Sequence, residues 1–201
     1  GLQEIKQLLV AARQPGCDRG NIQTQIDGII TDIENKADAS VINEQNFLSV
    51  TTGGTFNATK SVVASFERAT GGAVSISTID LDITDVYLID ATADAGILDQ
   101  ERGTGGTAES DFVGSILQLR SDNTNPAAPT GAQLDRAPVG ALTDSANDLG
   151  RIDEMIDAVD AALTETISAA NSVGVVHARI ESQMSIVEEL KDDNERDVGA
   201  L

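Results

Sequence analysis

The last quarter of the chain has an apolar pattern that repeats with the period of an α-helix. Steps of three and four residues along 152–187 fall on apolar side chains, apart from Thr166 and His177. A seam kept over five heptads favours a long helix, roughly 65 Å in length, packed lengthwise on partner helices. Either Ser145 or Asn147 could cap its start, and no proline interrupts it.

The first 38 residues predict two shorter helices. Residues 2–13 carry their apolar side chains on one helical face, and Pro15 with Gly16 ends that helix. Asp18 can cap a second helix, in which isoleucines recur at steps of three and four residues. This region therefore predicts a helix, a tight turn and an antiparallel helix.

The middle of the chain changes to a pattern typical of strands. Thr, Ser and Gly become frequent, and residues 61–69 and 73–79 predict a hairpin around a turn at 70–72. Alternation of apolar and polar residues over 79–84 predicts a strand with one solvent-facing side.

The rest of the middle region predicts less regular structure. Residues 111–119 have the spacing of a short amphipathic helix, and residues 121–140 carry three of the four prolines, as in a linker. The predicted fold class is mainly α with a β-rich insert. In this prediction, the helix hairpin within 1–48 and the long helix within 141–201 form an elongated antiparallel bundle, capped by a small β-containing region at 49–140.

The charge of the chain excludes several classes of partner. The chain has 13 Lys and Arg against 33 Asp and Glu, a formal net charge of −20. Neutralising phosphates requires clustered basic residues, so we expect no nucleic-acid binding, and an anionic membrane would repel the chain. It has no Trp, one Tyr and four Phe, so the core must be aliphatic. We also find no apolar run long enough to span a membrane.

Candidate catalytic residues are scarce. His177 and Cys17 are the only histidine and the only cysteine, which rules out an internal disulfide and a His/Cys metal cluster. His177 falls on the apolar seam, where we expect a packing or partner-specifying role. The sequence therefore predicts no enzyme activity, no cofactor and no metal site.

An acidic run in the middle region leaves one binding function open. Carboxylates at this density can hold a hard cation such as calcium, although their spacing does not match an EF-hand loop. A solvated strand face is the favoured interpretation, and an extracellular module that binds a ligand through the β-rich insert is the alternative. The run consists of Asp80, Asp82, Asp85, Asp90, Asp94 and Asp99.

Several stretches resemble the bacterial flagellins. Residues 2–12 (LQEIKQLLVAA) are similar to the flagellin pattern LQxIxxLxVQAA. Further matches are Asp18-Arg19, Ile22-Gln23, Ile26, Ile33 and Asn43 after the turn, then Asp160–Leu163, Val173–Val175 and Arg179–Glu181 in the long helix. Together they cover about half of the chain, and their order agrees with the layout of helix, insert and helix.

The resemblance implies a structural subunit of the bacterial flagellar filament, which self-associates through its helical core for motility. It implies an extracellular location, secretion by the flagellar export apparatus, and export and capping proteins as partners of the full-length chain. It also implies a core fragment that lacks both extreme terminal helical segments and is itself monomeric. A hook–filament junction protein of the same superfamily is the structural alternative.

Apolar helix positions are the residues expected to hold the helical core together and to mediate assembly. They are Leu2, Ile5, Leu9, Ile22, Ile26, Ile29, Ile33, Ile156, Val159, Leu163, Val173, Ile180 and Met184.

Overall fold

The computed structural model describes residues 1–42, 44–53, 56–68, 74–102, 114–121 and 138–199. Most of the described residues are helical, and a smaller part is in strands, which confirms the fold class as mainly α with a β-containing part. The elements are α1 (Leu2–Ala12), α2 (Arg19–Asp38), β1 (Val41–Ile42), β2 (Gln45–Asn46), β3 (Ser49–Val50), β4 (Thr59–Arg68), β5 (Val74–Asp82), β6 (Ile89–Asp90), 3₁₀ helices at Leu117–Leu119 and Val139–Ala141, and α3 (Ala146–Gly199).

The chain divides into two compact units. Unit 1 contains Gly1–Phe56 and Asp85–Ile167, and unit 2 contains Asn57–Thr84 and Ser168–Leu201. Unit 1 therefore holds α1, α2 and the first part of α3. Unit 2 holds the β4–β5 hairpin and the rest of α3.

The helix hairpin of unit 1 forms at the predicted positions. The Asp18 side chain caps α2 by accepting a hydrogen bond from the Asn21 amide at 3.0 Å. Gly16 has a φ of +73°, a conformation that glycine adopts without steric cost, and this turns the chain between the helices. The start of α1 lies beside Ile29 and Ile33 near the end of α2, so the two helices are antiparallel.

The first part of α3 buries a stripe that differs slightly from the predicted seam. Ile152 and Val159 are fully buried as expected. Met155 and Ala162 are also buried, whereas their neighbours on the predicted seam are only half-buried. The second position of each heptad in the buried stripe therefore falls one residue earlier than predicted, at 155 and 162, while the first position stays at 152 and 159.

The β4–β5 hairpin of unit 2 is antiparallel, with a register shift between Val63 and Ser65. Its strands confirm those predicted over 61–69 and 73–79, while the predicted turn at 70–72 lies outside the described residues. Ile79 and Ile83 are buried and Asp80 and Asp82 are exposed, which confirms the alternation over 79–84. In unit 1, β3 pairs in parallel with β6, and β1 pairs antiparallel with β2.

Two predictions for the middle region need correction. The helix predicted over 111–119 is wrong in its described part, because Arg102 and Gly114 exchange backbone hydrogen bonds at 3.0 and 3.1 Å and hold Gly114 in a bridge. Only a 3₁₀ turn follows it. Within the predicted linker, residues 122–137 lie outside the described part. Val139 is fully buried and starts a 3₁₀ helix, so the end of the predicted linker belongs to the core instead.

Candidate assembly surface

Arg19 is a buried cation that joins three segments of unit 1. Its side chain is only 8% exposed. Its Nε donates to the Ala12 carbonyl at the end of α1 at 2.8 Å, and Nη2 donates to Asp144 just before α3 at 2.7 Å. The Gly16 amide donates to the same carboxylate at 3.2 Å. The hydrogen bond from Arg19 holds the pKa of Asp144 below its usual value.

Gln23 on α2 is a second buried polar residue with three attachments. Its Nε2 donates to the Leu119 carbonyl and to Asp27, each at 2.7 Å, and its Oε1 accepts from the Gly140 amide at 3.3 Å. Burial alone would raise the pKa of Asp27, but hydrogen bonds from Ser121 and Gln23 bring it below its usual value. Gln23 therefore fixes both 3₁₀ segments against α2.

Arg102 attaches the middle region to α3. Its guanidinium makes two hydrogen bonds to Glu165, at 3.0 and 2.5 Å, and a third to the Ile97 carbonyl at 2.7 Å. Gln100 donates to the same carboxylate at 2.7 Å. Lys6 and Arg13 on α1 pair with acidic residues on the facing part of α3. Most basic side chains of unit 1 are thus engaged inside the unit.

Unit 2 has the opposite character, because its apolar side chains remain on the surface. In the described part of the chain, most large apolar side chains with high exposure belong to this unit. On the hairpin they are Val62, Val63 and Ile76, and on α3 they are Val173, Val175, Met184, Ile186, Val187 and Leu190. Met184 is 59% exposed and Leu190 is 57% exposed. An apolar patch of this extent usually marks an interaction surface.

A groove of about 630 Å³ runs between the hairpin and α3 within unit 2. Val62 and Val63 line it from β4, and Ile180, Met184 and Val187 line it from α3. We refer to these residues, with Leu190, as the unit 2 apolar surface. The walls of the groove are mainly aliphatic, and Ser65, Gln183 and Glu188 are the polar residues among those that line it.

The predicted core residues divide between the two units. Ile5, Leu9, Ile22, Ile26 and Val159 are buried, and Leu2, Ile29, Ile33, Ile156, Leu163 and Ile180 are half-buried. Val173 and Met184 are exposed. Their role in assembly stays a prediction. The buried polar residues Arg19 and Gln23 were missed as structural residues, although both belong to the pattern that resembles flagellins.

The other candidate residues have no catalytic setting among the described residues. His177 does not pack in a seam as expected: its side chain is 70% exposed and lies 3.6 Å from Glu181, one turn further along α3. Cys17 is half-buried, and its thiol contacts the Ala12 carbonyl at 3.2 Å. Searching the described residues finds no group of three or more His, Cys, Asp or Glu that could hold a metal ion. No described helix is long and apolar enough to cross a membrane.

The acidic run of the middle region is not a uniform solvated face. Asp80, Asp82 and Asp85 are exposed, but Asp90 is fully buried and Asp99 is 4% exposed. Burial would raise the pKa of Asp90, but hydrogen bonds from Thr52 and from nearby backbone amides bring it below its usual value. The prediction of a solvated face is therefore wrong for these two residues, because the chain folds back over them.

Comparisons with known proteins give consistent relatives. Flagellin C of Rhizobium meliloti (strain 1021) is 29% identical over 202 residues, covering all of this chain and 60% of that protein. Flagellin B of Rhizobium meliloti is 28% identical over all of this chain and 68% of its own length. Flagellin D of Rhizobium meliloti (strain 1021) is 41% identical over 101 residues, which are 49% of this chain and 24% of that protein. No family model matches the chain.

These relatives are structural proteins, and a chain with buried polar clamps and an exposed apolar helix face fits that class. Similarity to several of them extends over the whole length of the chain. The chain is therefore similar to the bacterial flagellins. It spans about 60% of the length of the flagellin C that it matches.

Proposed function

We propose that this chain is part of a structural subunit of the bacterial flagellar filament. The observation that carries the proposal is similarity to several flagellins along all of its residues. The helical fold agrees with it, since long helices suit a protein that assembles through its sides. The relatives are named flagellins, which favours a filament subunit over a hook–filament junction protein.

The unit 2 apolar surface is the part of the chain that we assign to assembly. Met184, Val187 and Leu190 lie within two turns of α3 and are exposed in this chain. Burying apolar surface of this kind releases roughly 25 cal/mol per Å². We propose that helical segments of the filament core cover these residues. We also propose that residues 1–48 and 141–201 form an elongated antiparallel bundle. Residues 49–140 would then form its outer part.

The proposal extends to partners and location. The full-length protein would be secreted by the flagellar export apparatus, meet capping proteins at the growing filament and work outside the cell. The chain alone would be monomeric. Its role would be mechanical and would not involve catalysis or a cofactor.

Electron microscopy of seeded polymerisation tests this function. The full-length protein that contains this chain is mixed with short filament fragments and imaged, beside its Met184→Asp variant. We expect filaments from the parent and few or none from the variant, because a charge at position 184 opposes the burial of an apolar surface.

Ser182→Asp is the matched control, since Ser182 is exposed on the same helix and is polar already. Filaments from this control show that an added charge on α3 is tolerated. Absence of filaments from the parent under all seeding conditions would contradict the proposed function. Normal filaments from Met184→Asp would contradict only the assignment of the surface.

A further inference from the structure

The segment 85–100 of unit 1 folds back on itself and encloses two aspartates. The Leu98 amide donates to the Leu88 carbonyl at 2.8 Å, and the Ile97 amide donates to the Tyr87 carbonyl at 3.2 Å. These bonds close the segment, and Asp90 and Asp99 become 0% and 4% exposed. Two carboxylates this deeply buried require an explanation, since an isolated buried charge is costly.

The two carboxylates are satisfied to different extents. Asp90 accepts hydrogen bonds from the amides of Thr52 and Thr92, each at 3.1 Å, and from the Thr52 hydroxyl at 2.6 Å. Asp99 accepts one bond at Oδ2, from the Asp90 amide at 2.5 Å. Its other oxygen, Oδ1, is buried and has no hydrogen-bond partner in the described part of the chain. The hydrogen bonds to Asp90 therefore favour its ionised form. At Asp99 only one of the two carboxylate oxygens has a hydrogen-bond partner among the described residues.

The surroundings of Asp99 Oδ1 are acceptors and negative charges. A Cβ at Gly96 would lie 2.7 Å from Asp99 Oδ1 and 2.4 Å from the Leu88 carbonyl oxygen, so both oxygens border the same small residue. The charges that act on Asp99 are those of Asp94 and Asp90.

Other ionisable groups do not offset these charges. Tyr87 borders the segment and is itself influenced by Asp90, Asp99 and Asp85. Arg102, the basic residue of this stretch, is engaged with Glu165 of α3 and with the Ile97 carbonyl. Thr52, whose hydroxyl donates a hydrogen bond to Asp90, carries no charge.

We propose that Asp99 is a proton-binding site, and that uptake of a proton at its unpartnered oxygen stabilises the folded segment 85–100 under mildly acidic conditions. The proton comes from solvent and neutralises a buried charge. It also supplies a donor at an oxygen that has no hydrogen-bond partner in the described part of the chain. The folded segment 85–100 is then more stable under mildly acidic conditions and less stable at higher pH.

The direction of the effect follows from linkage. Burial, above all, and the charges of Asp94 and Asp90 raise the pKa of Asp99 to about 6, against the opposing effect of the hydrogen bond from the Asp90 amide and of the nearby Gly96 amide. In the unfolded chain an aspartate titrates near ~3.9. The folded state therefore binds more protons between these values. The stability that Asp99 contributes is fully present below the unfolded pKa and is lost as the pH rises through the folded pKa.

Melting curves of the chain and its Asp99→Asn variant at about pH 5 and about pH 7.5 test the proposal. Asparagine mimics the neutral carboxyl, so the variant should melt higher than the parent at the upper pH, by roughly 4 °C, and by about half as much at the lower pH, which lies between the folded and unfolded pKa values. Hydrogen exchange of the Asp90 amide, corrected for the intrinsic rate, should show stronger protection at the lower pH in the parent only. Asp32→Asn is the matched control, because it removes one exposed charge from α2 in the same unit.

A carboxyl-carbon NMR titration of the parent decides the case even if the variant fails to fold. A midpoint for Asp99 near 6 supports the proposal, and a midpoint below about 4.5 overturns it. An Asp99→Asn variant that melts lower than the parent at the upper pH would also overturn it. Repeating the upper-pH melt with calcium chloride separates a cation from a proton. If calcium stabilises the parent and not the variant, the unpartnered oxygen is a cation ligand and the proposal fails.

Discussion

Unit 1 and unit 2 use the same kinds of side chain in opposite ways. In unit 1, aliphatic residues such as Ile5 and Ile152 are fully buried, and ion pairs such as Arg19–Asp144 join segments far apart in sequence. In unit 2, aliphatic residues such as Met184 are exposed. The ion pairs in the described residues of its part of α3 join positions three or four residues apart, as in Lys191–Glu195.

This difference indicates that one helix serves two purposes. The first part of α3 completes a core within unit 1, so its apolar residues are already covered. The later part presents comparable residues on the surface, where local ion pairs contribute only about 0.3–0.5 kcal/mol each. Stability is therefore concentrated in unit 1, and potential for association in unit 2.

The largest expected effect comes from placing the same charge on α3 in each unit. Val159→Asp should destabilise unit 1 by about 4 kcal/mol, because Val159 is fully buried and the carboxylate would have no partner there. Val175→Asp should change the free energy of unfolding by less than about 0.5 kcal/mol, because Val175 is 62% exposed. Urea denaturation followed by circular dichroism measures both.

Equal losses of the free energy of unfolding in the two variants would contradict the difference between the units. The location of the effect can be checked by hydrogen exchange. In Val159→Asp, amides of α1 and α2 should lose protection, whereas in Val175→Asp they should keep it.

The second effect concerns two arginines of unit 1 that both bind an aspartate. Arg19→Ala should cost about 2 kcal/mol, since it removes a buried guanidinium and leaves the Ala12 carbonyl with only the weak thiol donor of Cys17. Arg13→Ala should cost much less, because Arg13 and Asp153 are both about half exposed. Thermal melting of the two variants at low and high salt provides the test.

Only the Arg13 variant should lose its small effect at high salt, because exposed pairs are screened. A melting temperature of Arg19→Ala equal to that of the parent would show that the clamp contributes nothing to stability.

The helices of the fold could be predicted from the sequence because their signals are local. The cap at Asp18, the break at Pro15 and Gly16 and the apolar spacing of α2 all act within a few residues. The parallel pairing of β3 with β6 is different. It joins residues about 40 positions apart and returns the chain to unit 1 after the hairpin, and no local pattern encodes it.

The candidate surface was predicted in part. A heptad seam identifies which α3 residues share a face, but it cannot say which of them another element of the same chain covers. Val159 and Met184 are equivalent in the pattern, yet one is buried and the other is exposed. Arg19 and Gln23 gave no hydrophobic signal, because polar residues at the start of a helix normally indicate a solvent-facing surface.

The smallest of these effects concerns the start of α3, which belongs to unit 1. Ser145 accepts a hydrogen bond from the Asp148 amide at 3.1 Å, and the Asp148 carboxylate accepts one from the Thr143 amide at 2.8 Å. The hydrogen bond from the Thr143 hydroxyl is the main cause of a pKa of Asp148 below its usual value. The carboxylate also lies in the first turn, where the helix dipole favours a negative charge.

Asp148→Asn should therefore destabilise the chain by about 1 kcal/mol near neutral pH. Because the folded pKa is lowered, the contribution of Asp148 is present above the unfolded value and is lost as the pH falls through the folded one. The difference between parent and variant should therefore shrink as the pH falls below the unfolded value of about 3.9. Asp157→Asn, at an exposed position on the same helix, is the matched control. If the two variants behave alike, the start of α3 is held by packing alone. The contrast between the units would then rest on buried apolar area and not on polar contacts.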